Sequence, residues 1–356
     1  MTAGSDNNDG SDGAGSYDAD PLRADDVAAA TAKPPFLEGS RQRVLLFDGA
    51  MGTEIQKYDP QPHDFPDCRD GFNDGLTVTH PEWVESIHTS YLDAGADCIE
   101  TNSFGSNKIK LEEYGLGDRT VPFNRQIAEL ACRACRKYGR NNSRPVYVIG
   151  TMGPTGFLPS SNDPDLGQKP LGEILEAFEL QARGLIAGGV DALLIETSQD
   201  ILEVKLAIEA CHAAMNAAGL RTPIIANVTL DEHGKMLLGT DIQAAYTTVS
   251  GMDIDVFGMN CSTGPKEMAP SVRWLDGEAL HPLLVVPNAG MPENEGGNAI
   301  YRMTPDQMGD SMSTFLARHR HIRIVGGCCG TTPEHISVLR GVVDDASAAA
   351  PAMEQP

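Results

Sequence analysis

The 356-residue sequence predicts an α/β fold, a (β/α)8 barrel of the TIM type. Three observations carry that expectation. Eight short, continuously apolar runs recur along the chain, which is how parallel strands buried on both faces read. Amphipathic stretches with helical spacing separate them. The runs stop at polar or glycine-rich turns, the punctuation expected where barrel strands end. A doubly wound open sheet is the alternative, but no Gly-x-Gly-x-x-Gly follows any run.

The first run, Val44-Leu45-Leu46-Phe47, ends at Asp48-Gly49-Ala50-Met51-Gly52. Residues 53–79, rich in Pro, Asp and Gly, follow as an irregular loop expected to cap one barrel end. A helix over 81–94 puts Trp83, Val84, Ile87, Tyr91 and Leu92 on one face. The remaining strands are expected at 97–102, 146–149, 192–197, 224–228, 256–260, 283–286 and 322–325. Helices are expected between them at about 122–138, 171–188, 199–218, 241–250, 265–280 and 304–318, with a last one at 333–343. Residues 1–38 are rich in Ser, Asp, Gly and Ala without a hydrophobic period, and predict a disordered acidic tail. Residues 345–356 read the same way, which leaves 39–344 for the barrel.

A formal charge of −23 argues against nucleic acid or an anionic membrane as partner, since both need a basic face. No signal peptide or spanning stretch is legible. Eight cysteines without an export signal then read as reduced thiols or metal ligands in a cytoplasmic protein.

Those thiols are the most informative residues. The last run stops at Gly326-Gly327-Cys328-Cys329-Gly330, and the sixth at Asn260-Cys261-Ser262-Thr263-Gly264. Adjacent cysteines make strained disulfide partners, but flanking glycines let both reach one soft metal. Strands 6 and 8 lie two apart around a barrel, so Cys261 can join them. Three thiolates suit zinc, and three rather than four leave a position open for substrate. Such an electron-rich site is fit to activate a substrate thiol as a nucleophile. Water activation uses histidine-rich shells, and no His stands at these ends. Other polar residues gather at the strand ends: Asp48, Glu100, Asn102, Glu196, Asn227, Asn260 and Asn288. Among them Glu100, Asn102 and Asn260 are candidate substrate contacts, with helix caps and loop contacts as their plainer role. Cys132 and Cys135 form a Cys-x-x-Cys in mid-helix and read as packing, as do Cys98 and Cys211. His80 and His335 read as helix caps.

The motifs Asp48-Gly-Ala-Met-Gly-Thr-Glu, Glu100-Thr-Asn-Ser-Phe, Asn260-Cys-Ser-Thr-Gly-Pro, Pro287-Asn-Ala-Gly-Met-Pro and Gly326-Gly-Cys-Cys-Gly-Thr-Thr-Pro-Glu-His resemble the homocysteine S-methyltransferase family. The likeness covers about residues 40–343 and is greatest to the homocysteine-binding module of cobalamin-dependent methionine synthases. It implies zinc on Cys261, Cys328 and Cys329, with homocysteine sulfur at the open position and methionine as product. It also implies that Asp48, the backbone of Gly49, Ala50, Met51 and Gly52, and Glu196 grip the amino-acid end of the substrate. The chain stops after the barrel, so the resemblance implies methylcobalamin on a corrinoid partner, with methyltetrahydrofolate-binding protein supplied separately. The alternatives are a stand-alone enzyme using betaine or S-methylmethionine, a homocysteine-binding module active only in complex, and a structural-zinc barrel with other chemistry.

Overall fold

The computed structural model describes residues 33–296 and 298–349. Among these residues ten strands run in chain order: β1 Leu45–Leu46, β2 Cys98–Glu100, β3 Tyr147–Met152, β4 Ala192–Ser198, β5 Ile224–Val228, β6 Val256–Asn260, β7 Leu283–Val286, β8 Glu293–Glu295, β9 Asn298–Ile300 and β10 Ile322–Val325. Eight form one parallel sheet in the order β1-β10-β7-β6-β5-β4-β3-β2. A parallel bridge between Phe47 and Cys98 joins its two ends, so the sheet closes into the expected barrel. Each expected apolar run coincides with one barrel strand, with β3 running on to Met152 and β4 to Ser198 beyond the expected ends. The two others, β8 and β9, pair as an antiparallel hairpin that the sequence did not signal, because Glu293-Asn294-Glu295 is exposed and has no apolar alternation.

Strand side chains alternate between two environments, as a pleated strand requires. Leu45, Phe47, Cys98, Tyr147, Ile149, Ala192, Leu194, Ile225, Val256, Leu284, Val286 and Ile324 fill the barrel. Their neighbours, such as Leu46, Ile99, Val148, Leu193, Ile195, Phe257, Met259, Leu283 and Val285, pack under the surrounding helices. The inward parity continues beyond the apolar residues. Two positions on from Cys98 stands Glu100; from Leu194, Glu196; from Ile225, Asn227; from Val286, Asn288. The same rule puts a polar layer at the C-terminal mouth above an apolar fill.

The N-terminal floor is sealed. The helix Phe36–Gln42 brings buried Phe36 edge-on to Tyr147, ring centroids 5.7 Å apart, and Tyr147 donates its hydroxyl to Pro34 O at 3.1 Å. The tail therefore begins its order before residue 38: the apolar pair Phe36-Leu37, too short to show a period, finds burial against the barrel. At the other end the helix Pro333–Ala349 runs past 345, where alanines favour helix and Ser347 Oγ accepts from Val44 N at 3.2 Å. Residues 1–32 and 350–356, the rest of both tails, lie outside the described residues.

An aspartate directly precedes each of β2, β4 and β6. Asp97, Asp191 and Asp255 accept N–H from Leu46, Val148 and Ile224 at 2.9, 2.8 and 2.8 Å. Each also has cations: Arg43 and Arg340 at 2.7 and 2.8 Å on Asp97, Lys33 at 2.7 Å on Asp191, Arg221 at 2.9 Å on Asp255. Among the described residues no helix is long and apolar enough to cross a membrane.

Candidate metal centre

β6 and β10 flank β7, so the chain after β6 and the chain after β10 meet at the mouth. Cys261 leaves β6 with φ 61° and Ser262 follows at 62°, a left-handed pair that side chains enter only under constraint. Here the constraint is visible: Cys261 N donates to Val286 O at 3.2 Å and Thr263 N back to Cys261 O at 2.7 Å. After β10, Cys328 N donates to Pro287 O at 2.8 Å, and Thr331 Oγ1 to Cys328 O at 2.6 Å. A Cβ on Gly327 would fall 2.3 Å from Thr331 Cγ2, so only glycine allows that turn to close. Thr331 also takes Ala50 N–H, and the Tyr91 hydroxyl bridges Ala50 O and Thr331 O at 3.3 and 3.1 Å. The loops after β1 and β10 are thereby stapled together.

The result is a cluster of three thiols whose sulfurs all lie within 4.8 Å of one another. Cys261 Sγ is 3.7 Å from Cys329 Sγ, and Cys328 Sγ is 3.9 Å from Cys329 Sγ. Sulfurs about 2.3 Å from a tetrahedral zinc stand roughly 3.8 Å apart, so the cluster fits that ion. All three cysteines are free thiols. They titrate as one unit. Hydrogen bonds from Cys261 and then Cys328 hold the Cys329 thiolate down to about 3, with Tyr301 adding a further donor. Cys261 is lowered by its bond with Cys328, but its bond with Cys329 and burial carry it up to about 12. Cys328 is pushed well above the usual thiol range by its bonds to Cys261 and Cys329 and by burial. A metal would displace the protons that these sulfurs share.

Beside the sulfurs stand three acids in the polar layer. Asp48 is buried; its Oδ2 accepts Glu100 N–H at 3.0 Å and its Oδ1 has no partner. Burial, then the charge of Glu100, push its carboxyl well above the usual range. Burial raises Glu100 to about 7. Glu196 accepts Asn260 Nδ2 at 2.8 Å, and burial, then the charges of Glu100, Cys329 and Asp48, raise it well above its ordinary value. The charges acting on Asp48 and Glu196 are all negative. Among the described residues no Lys or Arg pairs with these three carboxyls, and a largely buried acidic layer is costly unless it binds a cation.

Asn260 is locked from three sides: Oδ1 accepts Thr197 N at 2.9 Å, Nδ2 donates to Thr197 Oγ1 at 2.9 Å, and its carbonyl accepts Thr229 Oγ1 at 2.8 Å. Asn227 and Asn288 each leave a buried Oδ1 unpartnered. Asn102 plays another part: its amide donates to Asn73 O at 2.9 Å and Thr77 Oγ1 at 3.3 Å, pinning the capping loop. His80 stands at the N-cap position without capping, its ring nitrogens instead 3.1 Å from Glu82 Oε1 and Asp64 Oδ1; the other cysteine and histidine expectations fit. Cys132 donates to the Gly188 and Gly189 carbonyls, Cys98 and Cys211 are buried, and His335 Nδ1 faces Thr332 N at 3.2 Å. Sequence reasoning missed Tyr91, Thr197, Tyr301 and Thr331, which look unremarkable until the loops converge. Only Thr331 carried a signal, as part of the Gly-Gly-Cys-Cys-Gly-Thr motif.

The sequence profile described as homocysteine S-methyltransferase matches residues 45–343. The chain belongs to the homocysteine S-methyltransferase family. Among its relatives is methionine synthase of Mycobacterium tuberculosis, 40% identical over 302 residues, which are 85% of this chain and 25% of that protein. The Mycobacterium leprae methionine synthase is 38% identical over 307 residues, 86% of this chain and 25% of that protein. The chain thus spans about a quarter of the length of these relatives. Among solved structures, the metallated homocysteine methyltransferase MmuM from Escherichia coli shares the family's fold, with a TM-score of 0.68 at 23% identity, over 84% of this chain and 96% of that one.

Proposed function

We propose that this barrel binds homocysteine at its mouth and prepares the substrate thiol for methylation to methionine. Cys261, Cys328 and Cys329 would hold zinc. Zinc bound there would keep an incoming thiol deprotonated at neutral pH while three thiolate ligands leave that sulfur electron-rich. The chain's own groups do the rest. Glu196, fixed by Asn260, and Asp48 with its free Oδ1 offer acceptors for the substrate ammonium. Glu100 lies close enough to Asp48 to raise it, so a bound ammonium would favour ionisation of the whole layer. The carboxylate of the substrate falls to backbone N–H groups of the turn after β1. Ala50 N–H is already given to Thr331, which moves that role to Gly49, Met51 and Gly52.

The observation that carries this proposal is the juxtaposition of a zinc-sized thiol triad with buried acids that have no cation. The likeness to methionine synthases supports methylcobalamin on a corrinoid protein as the donor, recharged from methyltetrahydrofolate on a partner module. Eight unpaired cysteines support a reducing compartment, the cytoplasm. The test is methionine formation by the zinc-loaded protein, with methylcobalamin, betaine and S-methylmethionine offered in parallel. Turnover with methylcobalamin is expected. Turnover with betaine or S-methylmethionine alone would overturn the donor, and a zinc-free protein that still turns over would overturn the site.

A further inference from the structure

β4 is irregular at the mouth. Ile195 stands opposite Ala226 of β5 and Ser198 opposite Val228, so Glu196 and Thr197 together face the single residue Asn227. The extra residue makes a bulge, a device that re-aims a side chain beside a site. Thr197 takes φ 57° there, a left-handed conformation that a β-branched residue enters only when its surroundings hold it.

What holds it is one amide on β6. Asn260 Oδ1 accepts Thr197 N–H at 2.9 Å, and Asn260 Nδ2 donates to Thr197 Oγ1 at 2.9 Å, which closes a two-bond clamp on the bulge. A backbone N–H can only donate, so the bulge itself dictates which way the amide faces. Its Nδ2 is thereby turned to Glu196, donating to Oε2 at 2.8 Å. Asn260 is anchored in turn: its carbonyl accepts the Thr229 hydroxyl at 2.8 Å, and the next N–H, that of Cys261, goes to Val286 O at 3.2 Å. The Glu196 carboxylate and the Cys261 sulfur therefore hang from consecutive residues, whose Cα atoms a trans peptide holds about 3.8 Å apart.

A thiol amino acid bound at both ends, with its ammonium on Glu196 and its sulfur at the thiol cluster, has to match the span between them. A span free to flex would also accept a chain one methylene shorter, whereas a fixed one penalises it. We infer that the Thr197–Asn260 clamp is the specificity device that selects homocysteine over cysteine by length, with Thr197 a positioning residue that acts through Glu196. This rests on Glu196 receiving the ammonium and the three cysteines the sulfur, as proposed above.

The test titrates the zinc-loaded full chain calorimetrically with homocysteine, cysteine and γ-mercaptobutyrate, which is homocysteine without its ammonium. Wild type is compared with Thr197→Gly, which leaves the left-handed turn accessible but removes the hydroxyl and the side-chain restraint, and with Thr197→Ser, which keeps the hydroxyl. Wild type is expected to prefer homocysteine to cysteine by about ten-fold or more, the effect of one methylene. In Thr197→Gly that preference should shrink several-fold through weaker homocysteine binding, while γ-mercaptobutyrate affinity and zinc stoichiometry stay unchanged. Thr197→Ser should keep the wild-type ratio. An unchanged ratio in Thr197→Gly overturns the inference, and so does an equal loss of affinity for all three thiols. If Thr197→Gly does not fold, Thr197→Ala, which also lacks the hydroxyl, is held to the same outcomes. Wild type that binds homocysteine no more tightly than γ-mercaptobutyrate overturns the ammonium site itself, and this inference with it.

Discussion

The floor and the mouth of the barrel treat buried carboxylates in opposite ways. At the floor, Asp97 has arginines at 2.7 and 2.8 Å and a strand N–H at 2.9 Å. At the mouth, Asp48 and Glu196 are also buried, with half-buried Glu100 between them, and the charges that act on Asp48 and Glu196 are negative. The first arrangement is complete without a ligand and serves stability. The second is incomplete, and the charge it lacks matches the ammonium proposed to bind there. In a barrel of this class that division follows strand direction.

Four changes break or sharpen the contrast, in order of expected effect. Replacing Cys328 with Ala should abolish zinc uptake and reduce turnover to background while the far-ultraviolet dichroism stays native; metal analysis decides it, and retained stoichiometric zinc would remove Cys328 from the site. At the floor, Asp97→Ala leaves Arg43, Arg340 and nearby Arg144 without their carboxylate. Denaturant unfolding should show a loss of about 3–5 kcal/mol, with zinc per folded molecule unchanged. Glu196→Gln should weaken homocysteine binding by roughly 2 kcal/mol, about thirty-fold, and leave zinc uptake and stability intact. If calorimetry instead shows it unfolding like Asp97→Ala, the two ends are not different in kind.

The smallest effect is a pH slope. The folded Glu100 carboxyl, at about 7, lies above its ordinary value of 4.5. The native state therefore holds its proton longer than the unfolded chain does, and stability falls as pH rises from 4.5 towards 7. Buried His88, pushed down to about 4, gives the opposite slope over 6.5 to 4. The difference between wild type and Glu100→Gln isolates the carboxyl: their stabilities should converge at pH 4.5 and diverge, variant higher, by pH 7. Parallel curves would mean that Glu100 titrates normally.

Features that repeat in the sequence were legible before the structure. Eight apolar runs marked the strands, and the Asn-Cys and Gly-Gly-Cys-Cys-Gly turns marked the thiol cluster, because a parallel barrel forces burial on both faces and sends strand ends to one rim. The acids Glu100 and Glu196 were found for the same reason, since each follows an inward apolar residue by two. Asn102 shares that parity with Glu100, yet it anchors residues 73–77, because alternation loses its meaning once the strand has ended. Phe36 and Leu37 were invisible because two apolar residues make no period. Tyr301 was invisible because its position depends on a hairpin without an apolar face, and on a glycine 29 residues later in the chain.

The helix Phe36–Gln42 also decides the traffic through the molecule. Phe36 and Tyr147 pack against each other, buried, at one end of the barrel, so the proposed substrate would enter and leave by the opposite rim. A methyl donor carried on another protein surface would cover that same rim. Amino acid must then arrive before the donor docks, and product can depart only after it lifts away. If the donor docks as proposed, a closed floor would set an order of addition and release that no residue at the thiol cluster would impose by itself.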